Sequence, residues 1–574
     1  MLRPFTCLFV LLLAAAPAEV AADTLYVDGT LTSDCSTYDV AGRSCGGGSA
    51  RAFDAMAGAA IAVAAGDTIL LRAGAYEDPL HLTTSGRSDA PIMVRAADGE
   101  SVVIENVGEP AIFVDGASYV TVEGLTVRDV LGWGRLEDVD HVTIRGMTFE
   151  RAEATGTTGS LKLVRATQCT VEDSSFVSGN DNIVMQESDA NRIVRNEFRE
   201  GRHSLLSVRC SNRNVFRDNR FENSIQKSME IFDCEGVSDA PFRLDATRRN
   251  LIENNRFEGT LGSDRDHRYN AIQYAGQEGI VRRNVFFDNL GGGLAFQVYE
   301  SEALNNYGHH AYNNTIVDNP CHGLIGSNAA TSAMFHSNAV RFNVLLGNTG
   351  CAGEAVQENV RNTEAVQLEG NVLADADPGF QSRSGRDFSV TMDSSLIDAA
   401  GFLAQTTGAG SGTSLAVDDA SPFFDGNGIE GETGDTIQLE GDTARARILS
   451  IDLATGVMQL DGPLDWAAGQ GVALAYEGAA PDVGAFERGS VDPPAQDGGV
   501  PAVDAGPGGD DAGSGTVADA GPGASLDAGA GGGDGGGDGG CAAAPRGAHP
   551  CAPLGAFGFV LGVAAFRRLG RRRG

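Results

Sequence analysis

Between Gln186 and Tyr299 the chain carries side chains suited to carbohydrate chemistry. Apolar and polar residues alternate around 229–231, 272–274 and 296–299. This puts Met229, Ile231, Ile272, Tyr274, Phe296 and Val298 on an inward face, and Glu230, Gln273, Gln297 and Tyr299 on an outward one. With Gln186 and Arg209 from the preceding phrases, the outward residues should line one substrate-binding groove. Polar groups beside an aromatic ring suit sugar hydroxyls and sugar faces. Lys227, Asp233, Glu235, Asp264, Asp266, His267, Arg268 and Tyr269 fall next to this row.

Two reactions could use such a set. β-Elimination from a uronate needs a base near the C5 proton and a cation on the carboxylate. Lys227 or His267 would be the base, Arg268 the neutralising cation, and Asp264 with Asp266 the ligands of a calcium ion. Hydrolysis needs two facing carboxylates, for which Glu230 with Asp233 or Asp264 would serve. The plainer reading is a solvated face. His309-His310 lacks a third nearby ligand, and no Cys-x-x-Cys or histidine cluster has zinc spacing.

Charge narrows the partner. The 574 residues hold 77 acidic and 42 basic side chains, a net charge of −35, which excludes nucleic acid as a partner of the whole chain. Residues 190–283 depart from this, with 17 basic against 14 acidic side chains. A neutral to basic belt on an acidic rod suits an anionic polysaccharide. The alternative is that Arg192, Arg195, Arg199, Arg213, Arg217 and Arg220 only decorate solvent-facing strand positions.

What must position these residues is a repeat. An Asn-x-apolar phrase recurs at Asn196, Asn219, Asn255, Asn284, Asn314, Asn343 and Asn371, preceded by three phrases without the asparagine. The ten apolar anchors, Val127, Phe149, Phe176, Phe198, Phe221, Phe257, Phe286, Ile316, Leu345 and Leu373, are 22–36 residues apart, the self-similarity of a solenoid. The leucine frame, the 18-residue period and the amphipathic helices of other solenoids are missing, and the phrases alternate as strands, as in Val120-Thr121-Val122-Glu123. A parallel β-helix remains. Coils stacked about 4.8 Å apart would align the seven asparagines into an internal amide ladder beside an apolar stack, so those asparagines are structural. The longer steps to Phe257 and beyond require loops near 232–249 and 261–272.

This repeat resembles the right-handed parallel β-helix superfamily of pectate-lyase-like proteins. Asp23–Val27 reads as a strand, and Ala50–Ala65 as an amphipathic capping helix with Phe53, Met56, Ala60, Ile61 and Ala64 on one face. Gly66–Tyr76 leads into the first coils. Ser395–Asp398 and Ala480–Glu487 resemble the closing phrases of secreted β-helix proteins, with a small β insertion between them. The resemblance implies an all-β fold but carries no catalytic residue over. The Glu-x-Glu-x4-Lys motif of alginate- and chondroitin-type lyases would fall near His203–Cys210, where both carboxylates are missing and Cys or Arg replaces Lys. The later Arg-His pair is absent near Ile231–Asp233.

The two ends speak to location. Residues 1–22, with Arg3, an apolar run and small residues before the break, have the layout of a secretory signal peptide. Residues 23–400 are expected to form the β-helix and 401–490 the insertion and closing strand. Residues 491–540 form a Gly/Ala/Asp-rich spacer. Residues 541–574 carry Cys541, a short apolar stretch and an arginine cluster, and resemble the C-terminal sorting signal of myxobacterial surface proteins. That resemblance implies processing and lipid anchoring near Cys541, and so membrane association at the cell surface or outer membrane. In an exported chain Cys35 and Cys45, flanking a short loop, are expected to form a disulfide. Cys210 and Cys234 are 24 residues apart, one coil of the repeat. The reading is a monomeric, surface-anchored β-helix whose middle coils bind a polysaccharide, as a lyase or a glycoside hydrolase. The competing class is a non-catalytic adhesin or structural rod.

Overall fold

The computed structural model describes residues 22–490 apart from 109, 152–158, 233–246, 262–269, 297–305, 327–334, 351–359, 362–365 and 375. The spacer and sorting segment, and all but the last residue of the leader, lie outside the described residues. Among the described residues no helix is long and apolar enough to cross a membrane.

Each repeat forms one coil of three short parallel strands. Ser118–Glu123 lies in sheet I, Thr126–Arg128 in sheet II and Gly134–Glu137 in sheet III, and Asp140–Arg145 returns to sheet I one coil on. Beyond the N-terminal cap the strands of each sheet follow chain order, so equivalent positions of successive repeats become neighbours. All ten anchors share one column of sheet II, from Val127 opposite Phe149 to Leu345 opposite Leu373. The rings of Phe149 to Phe286 stack face to face with centroids 4.7–5.1 Å apart. Coils of 22 to 36 residues keep this column because the loops take up the difference, so the side-chain stack holds the register.

The corner between sheets I and II explains the asparagines. Arg195, Asp218, Asn254, Arg283, Asn313 and Phe342, each just before a ladder asparagine, have φ of 51–57°. Left-handed backbone costs a non-glycine residue about 1–2 kcal/mol. The ladder offsets this. Each amide nitrogen from Asn196 to Asn343 donates to the Oδ1 of the next coil's asparagine at 2.8–3.2 Å. The backbone N–H of the same residue donates to that same oxygen. Two shorter ladders, Asn191-Asn214-Asn250 and Asn289-Asn319-Asn348, work the same way at other corners.

The N-terminal cap differs from expectation. Ala50–Phe53 is a strand, pairing with Thr24–Val27 and Cys35–Asp39, and the helix is only Met56–Ala62. Starting at Met56, the inward positions are Met56, Ala59, Ala60 and Val63, at the i, i+3, i+4 and i+7 spacing. Ile61 therefore points outward and is 85% exposed. Cys35 and Cys45 form the expected disulfide, Cα atoms 5.7 Å apart. Cys210 and Cys321 each form a disulfide with a partner outside the described residues, and Cys169 is a buried free thiol.

At the other end the chain turns back. Val483 N–H donates to Leu396 O and Gly484 N–H to Phe342 O, closing the last coils. Between these phrases a six-stranded antiparallel sheet, from Ala404–Gln405 to Gly471–Leu474, packs against sheet I. Glu432, with its side chain 2% exposed, receives both Arg192 and Arg217 at 2.7 Å, and Asp435 pairs with the fully buried Arg282.

Candidate functional site on the third sheet

Five consecutive strands of sheet III carry the chemistry: Leu161–Val164, Asp181–Gln186, Ser204–Arg209, Lys227–Phe232 and Ile272–Tyr274. Their register makes three columns: Asp181, Ser204 and Lys227; then Lys162, Val184, Ser207, Glu230 and Gln273; then Gln186, Arg209 and Phe232. The single expected groove is thus two columns, since Gln186 and Arg209 stand two residues further along the strands than Glu230 and Gln273. Gln297, Tyr299, His267, Arg268, Asp264, Asp266 and Asp233 lie outside the described residues.

Simple alternation would send Lys227 inward with Met229. The backbone there is irregular: the N–H groups of Ser228 and Met229 both donate to the carbonyl of Ala271, at 3.1 and 2.8 Å. Lys227, level with Ser204 and Asp181 of the two preceding coils, turns to the face that carries Glu230. The Lys227 ammonium contacts the Glu230 carboxylate directly. Ser204 Oγ donates to the other Glu230 oxygen at 3.3 Å, and His203 Nε2 is 3.9 Å from it. His203 Nδ1 is 2.9 Å from Asp181 Oδ1, which also accepts the Ser204 N–H at 3.0 Å. Asp181 thereby holds the imidazole with Nε2 aimed at Glu230.

Glu230 lies outside the solenoid core, yet it is 0% exposed and Lys227 is 5% exposed, so the expectation of an open Glu230 fails. Lys227 folds over the carboxylate from its own strand while Gln273, also buried, flanks it on the next coil. Burial pushes the Lys227 amine down to about 7, against the pull of Asp181. Half-exposed His203, Arg209, Gln186 and Phe232 form the solvent side. Arg209 lies over the Phe232 ring at 5.3 Å and bonds Ser207 Oγ, and it has no carboxylate partner among the described residues.

The expected basic belt is not a free cationic surface. Arg192 and Arg217 are taken by Glu432, Arg195 by Glu172 and Asp173, Arg199 by Glu197, and Arg220 by Glu222 and Glu258. None of the six arginines lies in a strand of sheet III. The calcium expectation rests on Asp264 and Asp266, and no group of three metal-ligating side chains converges among the described residues. His309 and His310 are both buried.

Sequence reasoning passed over Asp181 and His203 as site members. The signal was available: Asp181, Ser204 and Lys227 follow one another at 23-residue steps, one coil each.

The sequence model of the family described as the right-handed beta helix region matches residues 93–237 and 164–340. The chain is a right-handed parallel β-helix. No curated protein sequence matches it. Among solved structures it is similar to pectate lyase Pel9A, at 14% identity over 82% of this chain and 98% of that one, with a TM-score of 0.37. It is similar to the PL6 family polysaccharide lyase Pedsa3628 from Pseudopedobacter saltans, at 14% identity, 56% and 92% coverage and a TM-score of 0.38. It is also similar to XylC in complex with xylose, at 11% identity, 78% and 99% coverage and a TM-score of 0.44.

Proposed function

We propose that this β-helix is an exported, surface-anchored polysaccharide lyase that binds a uronate-containing glycan along sheet III. The observation that carries the reading is Lys227, a buried amine pushed down to about 7 beside Glu230 and the Asp181–His203 pair. An amine that sheds its proton near neutral pH is a fit base for a carbon acid.

In the reaction, the Lys227 amine takes the C5 proton of the uronate. The C5–H electron pair becomes the C4–C5 double bond, and the C4–O bond breaks. His203, oriented by Asp181, gives a proton to the departing oxygen. Arg209 pairs with the uronate carboxylate, and Glu230 holds the ammonium that forms. Hydrolysis draws less support, because the Glu230 carboxylate is buried and engaged by Lys227 and Ser204.

The near-complete burial of Lys227 and Glu230 favours a second reading, a non-catalytic adhesin in which this pair is structural. The test is to incubate the purified chain, with and without calcium, with uronate-containing and neutral polysaccharides, following unsaturated products and reducing ends together. Unsaturated ends from uronate polymers support the lyase. Reducing ends alone turn the reading to hydrolysis, and glycan retention without cleavage turns it to the adhesin. The secretory leader, the anchor at Cys541 and the monomeric state belong to the same proposal, and fractionation of the source cells tests the location.

A further inference from the structure

The antiparallel sheet does not lie flush on sheet I. Between them is a half-open cleft of about 890 Å³, within the roughly 300–1,000 Å³ range of small-molecule sites. At its floor Arg341 is 9% exposed and forms no ion pair among the described residues. Its Nη1 donates to Leu403 O at 2.9 Å, and its buried Nε has no partner among the described residues. A buried guanidinium without a carboxylate is costly unless a ligand supplies the negative charge.

Neighbouring groups fix that arginine rather than neutralise it. Arg341 Nη2 is 3.4 Å from His310 Nδ1, and His310 Nε2 is 2.8 Å from Ser421 Oγ. Ser421 in turn donates to Asp419. An imidazole that accepts from arginine at Nδ1 must carry its proton at Nε2 and donate it to Ser421. His310 is therefore not a base for Ser421, and the apparent serine–histidine pair is a relay that orients Arg341. A second guanidinium without a carboxylate partner among the described residues, Arg249, lines the same cleft.

Of the four carboxylates of the cleft, exposed Glu369 stands opposite Arg341 on the neighbouring strand without an ion pair to it among the described residues, and the other three are committed elsewhere. Glu278 pairs with Arg248, Asp418 accepts the N–H groups of Gln405 and Asp419, and Asp419 holds Ser421. They remain hydroxyl acceptors, and Phe402 and Tyr307 supply apolar faces. A carboxylate for Arg341, hydroxyls for the acidic rim and a ring face for the aromatics together describe a sugar acid.

We propose that this cleft is a second ligand site, separate from Lys227, which binds a uronic acid residue through Arg341. It requires no cleavage on sheet III. The test is a ligand-observed NMR titration of the purified full chain carrying Arg209→Ala, so that the sheet III site is not read, with galacturonic acid against galactose. The expected result is saturable binding of the acid, at least tenfold weaker binding of the neutral sugar, and at least a tenfold loss in Arg341→Gln. Arg249→Ala, whose backbone carbonyl still meets Asn427, supplies a folded control if Arg341→Gln disturbs the sheet, and should weaken the acid several-fold. No binding, equal binding of both sugars, or binding unchanged in both variants overturns the proposal.

Discussion

Lys227 and Glu230 meet side chain to side chain although they stand three residues apart on one strand, with 6% and 1% of their side chains exposed. A regular strand would place them on opposite faces. The irregular backbone at Ser228, where two successive N–H groups share the Ala271 carbonyl, brings them together, and the same register holds through the two preceding coils. Deforming the strand there gives a water-poor position in which an amine is poorly solvated as a cation, and this sets its proton affinity.

The first prediction concerns pH. The base form of Lys227 is the neutral amine, so kcat/KM for elimination should rise as pH increases through about 7 and level off above it. Lys227→Ala should lower the rate by about 10²–10⁴-fold, the usual contribution of a positioned base. Initial rates of unsaturated-product formation from pH 5 to 9 check both; a profile that falls through this range removes Lys227 as the base.

Glu432 offers a test of how the antiparallel sheet is held. Its two oxygens receive Arg192 and Arg217 from adjacent coils, and breaking such a buried arrangement from one side costs about 3–5 kcal/mol. Since both arginines are about a fifth to a quarter exposed, the lower end applies. Glu432→Ala should lower the melting temperature and open residues 401–490 to limited proteolysis, while circular dichroism of the strands changes little.

Much of the fold was legible because a solenoid repeats its instructions. Phe176, Phe198 and Phe221 carry the same message at nearly the same interval, and stacking converts it into register without further information. The site was less legible, for a local reason. Alternation assigns faces correctly to Met229 and Ile231 but fails at Lys227, where two successive N–H groups share the Ala271 carbonyl and the backbone departs from regular alternation. It also says nothing of burial, which is why Glu230 was expected at an open groove. The arginines from Arg192 to Arg220 misled in the opposite direction. Several of their partners, Glu432 among them, come from adjacent coils or from more than 200 residues away, and a local charge count cannot see those.

The asparagine ladder predicts a cost at its centre. Asn255 Oδ1 accepts both the backbone N–H and the Nδ2 of Asn219, and its own Nδ2 donates to Asn284. Asn255→Ala leaves two buried donors of Asn219 unsatisfied, at about 1–3 kcal/mol each. Chemical denaturation should show a clear loss of stability. Asn255→Ser, which restores an oxygen too short to reach both donors, should recover only part of it.

Acid sensitivity should come from His309 and His310. His309 is fully buried, accepts the Gly279 N–H at Nδ1 and donates from Nε2 to Gly276 O. Both ring nitrogens are thus used by the neutral form. Burial pushes His309 down to about 3 and His310 to about 4. An unfolded histidine titrates near 6.5, so between that value and the folded values the unfolded chain binds protons that the native chain refuses. The stabilisation is complete above about pH 6.5 and falls as pH drops towards 4, at up to about 1.4 kcal/mol per pH unit for each histidine. Glu487, pushed up to about 7 by burial, acts in the opposite sense, because its neutral form is favoured in the folded state. The informative quantity is therefore the difference between the wild type and His309→Gln. Urea midpoints measured at pH 7.5, 6 and 5 should converge for the two proteins as pH falls, because the glutamine keeps an acceptor and a donor but has no proton to gain. Parallel pH dependences would show that the buried imidazole contributes nothing to acid unfolding.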